Sequence, residues 1–178
     1  MKYRRSNLSG GCYFFTLVTY QRQNLLTIPN NVDRLRHAFK REKQKYPFDL
    51  EAIVILPGHL HALWVLPQND HDYSSRWSRI KRFFSVGCVG AQTIQSISRQ
   101  SKREQPVWQR RFWEHAIRDE NDWRRHMDYI HYNPVKHGYV RSVAEWPYSS
   151  FARCVAKGWY AADWGKNELP NIQGMHFE

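Results

Sequence analysis

The sequence predicts an α+β protein, built as a ferredoxin-like split βαβ antiparallel sheet with helices on one face and a C-terminal extension. Strand-like and helix-like segments follow the order strand, helix, strand, strand, helix, strand, with a further helix after them, and this order is typical of that fold. The 178 residues are 42% apolar and 15% aromatic, which is sufficient for one buried core. We therefore expect one domain over 1–150 and a tail over 151–178.

The first half of the chain contains three predicted strands and one helix. Their expected bounds are 12–20 for the first strand, 32–46 for the helix, and 48–56 and 59–66 for the other two strands. The first strand is rich in aromatic and β-branched residues, and the helix has apolar residues at helical spacing. Asn30 or Asn31 is expected to cap this helix, and Pro47 to end it. The short connection at Pro57-Gly58 predicts an antiparallel hairpin.

The second half contains two helices and one strand, with a long polar segment between them. The expected bounds are 76–85 for a basic helix, 86–106 for the polar segment, 111–118 for a strand and 119–133 for the last helix. The polar segment is rich in Ser and Gln and has no period, which predicts a mobile inserted loop. Ser74 or Ser75 is expected to cap the basic helix. Because Pro134 disfavours helical geometry in the residue before it, the last helix is expected to end at Asn133.

The charge of the chain indicates its class of partner. A net charge of +11, from 27 Lys and Arg against 16 Asp and Glu, is not needed for folding and points to a polyanion. The apolar run near 12–18 is too short to span a bilayer, and no secretory apolar core follows the basic N-terminus. Three widely spaced cysteines fit neither a zinc knuckle nor a disulfide framework. A cytoplasmic protein that binds nucleic acid and no membrane is therefore expected.

Two histidines lie two residues apart in the third predicted strand. His59 and His61 project from the same face of that strand, about 7 Å apart along the chain. They can hold a divalent cation if a third ligand comes from elsewhere, or they can simply be polar residues of a half-buried strand. The strand is otherwise apolar, and burying two imidazoles there costs free energy unless a partner satisfies them, which favours the metal site.

The last predicted helix carries a tyrosine and an amide one turn apart. At about 100° per residue, Tyr129 and Asn133 lie about 40° apart, whereas Tyr132 lies about 100° from Asn133 on the other side. Spacing alone also allows Tyr129 to be a boundary aromatic residue and Asn133 merely to end the helix. The buried stripe of this helix is predicted to be formed by Trp123, Met127 and Ile130.

Several motifs together resemble one family. His59-Leu60-His61 resembles the paired-histidine signature of the HUH nucleases, and the run from Asp128 to Gly138 is similar to the segment that carries the nucleophile in REP-associated tyrosine transposases. The resemblance covers roughly residues 3–165 except 86–106, with motifs in family order. Further matching motifs lie at 13–16, 56–59, 108–115 and 146–149.

The resemblance implies a chemistry for these residues. In the family, the histidines bind Mg²⁺ or Mn²⁺ and the tyrosine attacks single-stranded DNA, which leaves a 5′-phosphotyrosine and a free 3′-hydroxyl. Carried over, His59 and His61 are metal ligands, Tyr129 is the nucleophile, and Asn133 is the third ligand in place of the glutamine of related transposases. The family recognises REP palindromes, which fold into DNA hairpins, and its members are expected to act as monomers.

Basic residues interleaved with aromatic residues are suited to single-stranded DNA, because bases stack on rings while Arg and Lys contact phosphates. The other interpretation is a solvated helix face, with Trp77, Ile80 and Phe84 in the core. The candidate DNA-binding residues are Arg4, Arg5, Arg76, Arg79, Lys81, Arg82, Arg110, Arg111 and Lys136.

Three functions are compatible with these residues. The leading hypothesis is a metal-dependent enzyme that nicks single-stranded DNA and transfers the strand at REP hairpins. The second is a non-catalytic protein that binds and marks REP hairpins. The third is a metal-dependent phosphodiesterase that uses water and leaves Tyr129 as a structural residue. Intact His59, His61 and Tyr129 favour the first, because a protein that only binds DNA does not need all three.

Overall fold

A four-stranded antiparallel sheet forms the centre of the protein in the computed structural model, which describes residues 10–91, 107–166 and 170–177. The strand order is β2-β3-β1-β4, and every neighbouring pair is antiparallel. This order is that of the split βαβ motif, so the predicted α+β class and sheet are confirmed. The strands are β1 (Cys12–Val18), β2 (Asp49–Ile55), β3 (His59–Val65) and β4 (Trp113–Ala116).

The first two helices begin three residues earlier than the sequence predicts, and the helix predicted from 119 begins one residue later. Pro29 occupies the first turn of the first helix, where its missing N–H costs nothing, so neither Asn30 nor Asn31 is the cap. The carboxylate of Asp72, not Ser74 or Ser75, caps the second helix by accepting the Ser75 N–H. The helices are α1 (Pro29–Lys45), α2 (Tyr73–Val86), α3 (Glu120–Lys136) and α4 (Phe151–Ala156), with short 3₁₀ turns at Tyr20–Arg22 and Val143–Glu145.

Helices cover both faces of the sheet, which corrects the prediction that they share one face. Alternation along each strand sends Phe15 and Trp64 into a core under α1 and α2, and Phe14 and Leu63 into a second core under α3. Both faces of the central strands are therefore apolar, and helices must pack on each face to bury it. The prediction holds for α1 and α2 and is wrong for α3.

Helix α3 continues through Pro134 to Lys136, so the predicted end at Asn133 is wrong. Asn133 and Pro134 are both buried, and packing keeps the last turn helical despite the missing proline N–H. Gly138, two residues after the last helical residue, has a φ of +71° and stops the helix. The Gly138 N–H bonds to the Val135 carbonyl and the Tyr139 N–H to the Pro134 carbonyl, both at 2.9 Å, which is a Schellman motif.

The segments after residue 150 pack onto the α3 side of the sheet. Phe151 and Cys154 of α4 are buried, and Met175 belongs to the same core as Met127. The predicted boundary at residue 150 stays a prediction, and most of the predicted loop 86–106 lies outside the described residues. Within the described ranges, no helix combines the length and apolar character that crossing a membrane requires.

Candidate active site

The two histidines of β3 lie side by side on the face that α3 covers. His59 is 5% exposed and His61 is fully buried, and their ring centroids are 5.0 Å apart. The register of β1 places Thr16 opposite His61, and the Thr16 hydroxyl lies 2.9 Å from His61 Nδ1. The strand pairing thus holds the His61 ring in one orientation.

This arrangement fits a divalent cation. Metal-ligating histidines usually make a hydrogen bond through their other ring nitrogen, and the Thr16 bond at Nδ1 leaves Nε2 as the atom of His61 that could bind a cation. The Nε2 atoms of both His59 and His61 are buried, so a cation held by them would be sheltered from bulk water. A buried imidazole pair from one rigid strand can therefore supply two ligands to a cation.

Helix α3 brings Tyr129 against this pair. The Tyr129 ring lies 5.2 Å from the His61 ring, centroid to centroid. Lys136, two turns later on the same face, places Nζ 3.4 Å from the Tyr129 hydroxyl and 4.8 Å from the ring centroid. An ammonium group at this distance stabilises negative charge that develops on the phenol oxygen. Asn133, one turn after Tyr129, is fully buried.

Tyr132 lies on a different side of α3. Its ring contacts Trp164, with the centroids 6.3 Å apart, and packs close to Gly165. The two phenols of this turn are therefore in different surroundings, as the helical spacing predicts.

A C-terminal phenylalanine covers the Tyr129 hydroxyl. The backbone N–H of Phe177 lies 3.4 Å from this oxygen, and the rings of Phe177 and Tyr129 are 5.1 Å apart. Phe177 also stacks on Trp113 and His126. Tyr129 is fully buried, and the segment that carries Phe177 forms part of its cover.

The structure corrects the prediction that Arg76 contacts DNA. Its side chain is 4% exposed, and its guanidinium forms an ion pair with Asp70 at 2.6 Å and donates to the backbone carbonyls of Tyr46, Pro47 and Asp72. The bond from Arg76 also lowers the pKa of Asp70. Arg76 therefore joins the end of α1 to the start of α2, and no surface of its guanidinium is left for a phosphate.

Replacing Arg76 with alanine is expected to lower the free energy of unfolding by roughly 2–4 kcal/mol, because Asp70 and three carbonyls lose their donor. Arg82→Ala, at an exposed position of the same helix, should change it by less than about 0.5 kcal/mol. Urea unfolding of both variants measures the difference. Equal stabilities would contradict the structural role of Arg76.

The other candidate DNA-binding residues have different surroundings. Arg4 and Arg5 lie outside the described residues, Arg110 and Arg111 are exposed, and Lys81 donates to the carbonyls of 109 and 110. Arg79 is ion-paired with Glu42 at 2.7 Å. Arg79 and Arg82 line a groove of about 510 Å³ between α1 and α2, which we call the α1–α2 groove. Its other basic residues are Arg34, Arg41 and Lys45.

Residues near the site that the sequence did not single out come from other elements. The His137 ring lies 5.4 Å from the His59 ring, just after α3. The position of Thr16 opposite His61 can be inferred only when the register of β1 and β3 is known. No sequence pattern links Phe177 to Tyr129, because they are far apart in the chain.

Proteins with similar sequences support the family resemblance that the motifs indicate. It is 46% identical over 164 residues to the REP-associated tyrosine transposase of Escherichia coli K12, with 92% of this chain and 90% of that protein covered. The chain belongs to the REP-associated tyrosine transposase family. A relative from Haemophilus influenzae, assigned to the same family, is 46% identical over 173 residues, with 97% of each chain covered. No protein-family model matches the chain.

A solved structure of this family extends the agreement to the fold. The structure of a REP-associated tyrosine transposase bound to a REP hairpin matches with a TM-score of 0.81 and 40% identity, over 99% of this chain and 96% of that one. The resemblance stated from the motifs is therefore confirmed. Tyrosine transposases are a class of DNA-cleaving enzymes, and membership of the family places this chain in that class.

Proposed function

We propose that this chain nicks single-stranded DNA at REP hairpins and transfers the strand through a 5′-phosphotyrosine on Tyr129. The observation that carries the proposal is the position of Tyr129, whose ring lies 5.2 Å from His61 in a pair of buried histidines. A relative of the same fold binds a REP hairpin, which supports this class of substrate. The monomeric state and the cytoplasmic location stay predictions.

The residues have separate tasks in this reaction. The Tyr129 oxygen attacks the scissile phosphorus, a bond forms between them, and the bond to the 3′-oxygen breaks, so that this oxygen leaves and takes up a proton. The phenol proton passes to solvent water, and Lys136 stabilises the charge that develops on the phenol oxygen. In the transfer step, a 3′-hydroxyl attacks the phosphotyrosine, joins the two strands and releases the tyrosine.

We propose His59, His61 and Asn133 as the ligands of a divalent cation, Mg²⁺ or Mn²⁺. A bound cation supplies Lewis-acid polarisation of the scissile phosphate. Imidazole ligands are softer than Mg²⁺ prefers, so Mn²⁺ or Zn²⁺ is expected to bind more tightly in vitro. Thr16 orients His61, and the strand holds His59 at a fixed distance from it.

A covalent-adduct assay tests the proposal. The full chain is incubated with a single-stranded REP hairpin from the same genome and run on a denaturing gel. A covalent protein–DNA band with a matching free 3′-hydroxyl product is the expected result. Cleavage without an adduct would identify the water-using phosphodiesterase, and binding without cleavage would identify a hairpin-binding protein.

The affinity for DNA is expected to fall steeply as salt rises. If the α1–α2 groove and its surroundings make about five phosphate contacts, counterion release predicts a slope near −4, or a loss of roughly 10²-fold between about 50 and about 200 mM salt. Replacing Arg41 and Arg82 together should lower this slope by about 1–2, whereas Lys157→Ala, on the α3 side, should not. Fluorescence anisotropy measures the slopes, and a flat response would show that the charge serves another purpose.

Removing the Phe177 ring is expected to raise the rate of adduct formation several-fold, because Phe177→Ala weakens the cover over Tyr129 and leaves His59 and His61 unchanged. The matched control is Phe151→Leu, a buried position of α4 that does not contact Tyr129 through its ring. Single-turnover formation of the adduct gives the rates. An unchanged rate for Phe177→Ala would mean that movement of this segment does not limit the reaction.

A further inference from the structure

We propose that His115, Asp122 and His126 form a second cation site, which takes Zn²⁺ or a similar transition metal and is separate from the His59–His61 pair. His115 lies on β4, and the other two residues lie one turn apart in the first half of α3. One donor atom from each of the three side chains lies within 4.8 Å of the others. The set belongs to two different elements and is brought together only by the fold.

The chemistry of this cluster is that of a zinc site. Two imidazoles and one carboxylate are a ligand set that Zn²⁺ accepts with a fourth position for water. His115 Nε2 lies 2.7 Å from one carboxylate oxygen of Asp122. Donors around a tetrahedral Zn²⁺ with bonds of about 2.0–2.2 Å are roughly 3.3–3.6 Å apart, so His115 and Asp122 would have to move slightly apart to admit the ion.

The hydrogen bonds of His126 leave one ring nitrogen for a ligand. Its Nδ1 lies 2.8 Å from the backbone carbonyl of Asp122, and because a carbonyl only accepts, Nδ1 carries the proton and Nε2 the lone pair. The His126 side chain is 4% exposed, and within the described residues Nε2 has no hydrogen-bond partner. A buried polar atom in this state is unfavourable, and a cation bound at Nε2 would satisfy it.

The charge states of the cluster suit a cation. Burial raises the pKa of Asp122, but bonds from His115 and Arg118 outweigh it and lower the pKa to about 2, so the carboxylate is anionic at neutral pH. Burial lowers the pKa of His126, which keeps its imidazole neutral and able to ligate. The Arg118 guanidinium also contacts Asp122, but its side chain is 74% exposed and can turn into solvent when a cation binds.

A metal here would join β4 to the helix that carries the candidate nucleophile. Tyr129 follows His126 by three residues, and the Phe14 ring packs on both His126 and His61, at 4.7 and 5.4 Å. The proposed ion would therefore fix the start of α3 against the sheet. Its task is to position the helix, because its ligands lie on β4 and at the start of α3, whereas the Tyr129 hydroxyl lies beside Lys136 and the Phe177 backbone.

The test uses the full chain with His59→Ala and His61→Ala, so that the other candidate metal site is removed and no DNA is needed. Titration with Co²⁺ is followed by visible absorption and by native mass spectrometry. We expect one Co²⁺ per chain, displacement by Zn²⁺, and a rise in Tm of several degrees with Zn²⁺. His126→Ala and His115→Gln should each weaken Co²⁺ binding by at least tenfold, whereas His37→Ala, an exposed histidine of α1, should not.

Two results would overturn the second site. The first is the lack of a stoichiometric Co²⁺ signal in the His59→Ala, His61→Ala background, and the second is unchanged binding when His115→Gln is added. His115→Gln keeps an amide donor for Asp122 at a half-buried position, so it tests the site even if His126→Ala fails to fold. Because the readout is metal binding, its failure is distinct from a failure of the proposed cleavage reaction.

Discussion

Replacing Tyr129 with phenylalanine is expected to abolish the covalent protein–DNA adduct and to lower strand cleavage by about 10³-fold or more, since the variant has no nucleophilic oxygen. The fold should survive, because the variant keeps the buried ring and deletes one oxygen, which lies 3.4 Å from Lys136 Nζ and 3.4 Å from the Phe177 backbone nitrogen. The expected loss of stability is no more than about 1 kcal/mol. Denaturing gels report the adduct, and circular dichroism reports the fold.

Tyr132→Phe is the matched control for this variant. Tyr132 is a phenol in the same turn of α3, but its ring faces Trp164 and not the histidines. In-line attack needs the reacting atoms within about 3–3.5 Å, so a nucleophile on another side of the helix cannot replace Tyr129. The Tyr132→Phe protein should form the adduct at the wild-type level. Mass spectrometry that locates the DNA on a peptide modified at Tyr132 would overturn the assignment.

Replacing His59 or His61 with alanine is expected to abolish cleavage while hairpin affinity changes by less than about threefold. The reason is that the proposed cation acts on the scissile phosphate, whereas the basic surface supplies the affinity for DNA. Each variant removes one of two imidazoles whose rings are 5.0 Å apart. Cleavage in Mg²⁺ or Mn²⁺ and anisotropy with a labelled hairpin measure the two quantities separately.

Graded variants around the histidines sharpen this test. Asn133→Ala should reduce cleavage less completely, because water can replace a single amide ligand. Thr16→Val keeps the shape of the side chain but removes the oxygen 2.9 Å from His61 Nδ1, and a loss of about 10–100-fold is expected. If both histidine variants cleave at the wild-type rate with a chelator present, the histidines do not hold a catalytic metal.

Much of the fold was predictable because it rests on local periodicity. Alternation in β3 places His59 and His61 on one face, and the 100° step of a helix separates Tyr129 from Tyr132. The order of strands and helices predicted the sheet, whose topology agrees. The β2–β3 hairpin and the family resemblance also rested on features within short stretches of the chain.

The sequence by itself determined the order of the elements, the shared face of the two histidines and the basic character of the chain. Only the tertiary structure decided which element covers which side chain, because periodicity says which side of its own element a residue occupies and not what lies opposite. Arg76 is basic and helical, yet Asp70 and three carbonyls surround its guanidinium. The cover of Phe177 over Tyr129 and the approach of His115 to α3 likewise join segments distant in the chain, whose contact depends on packing across the sheet.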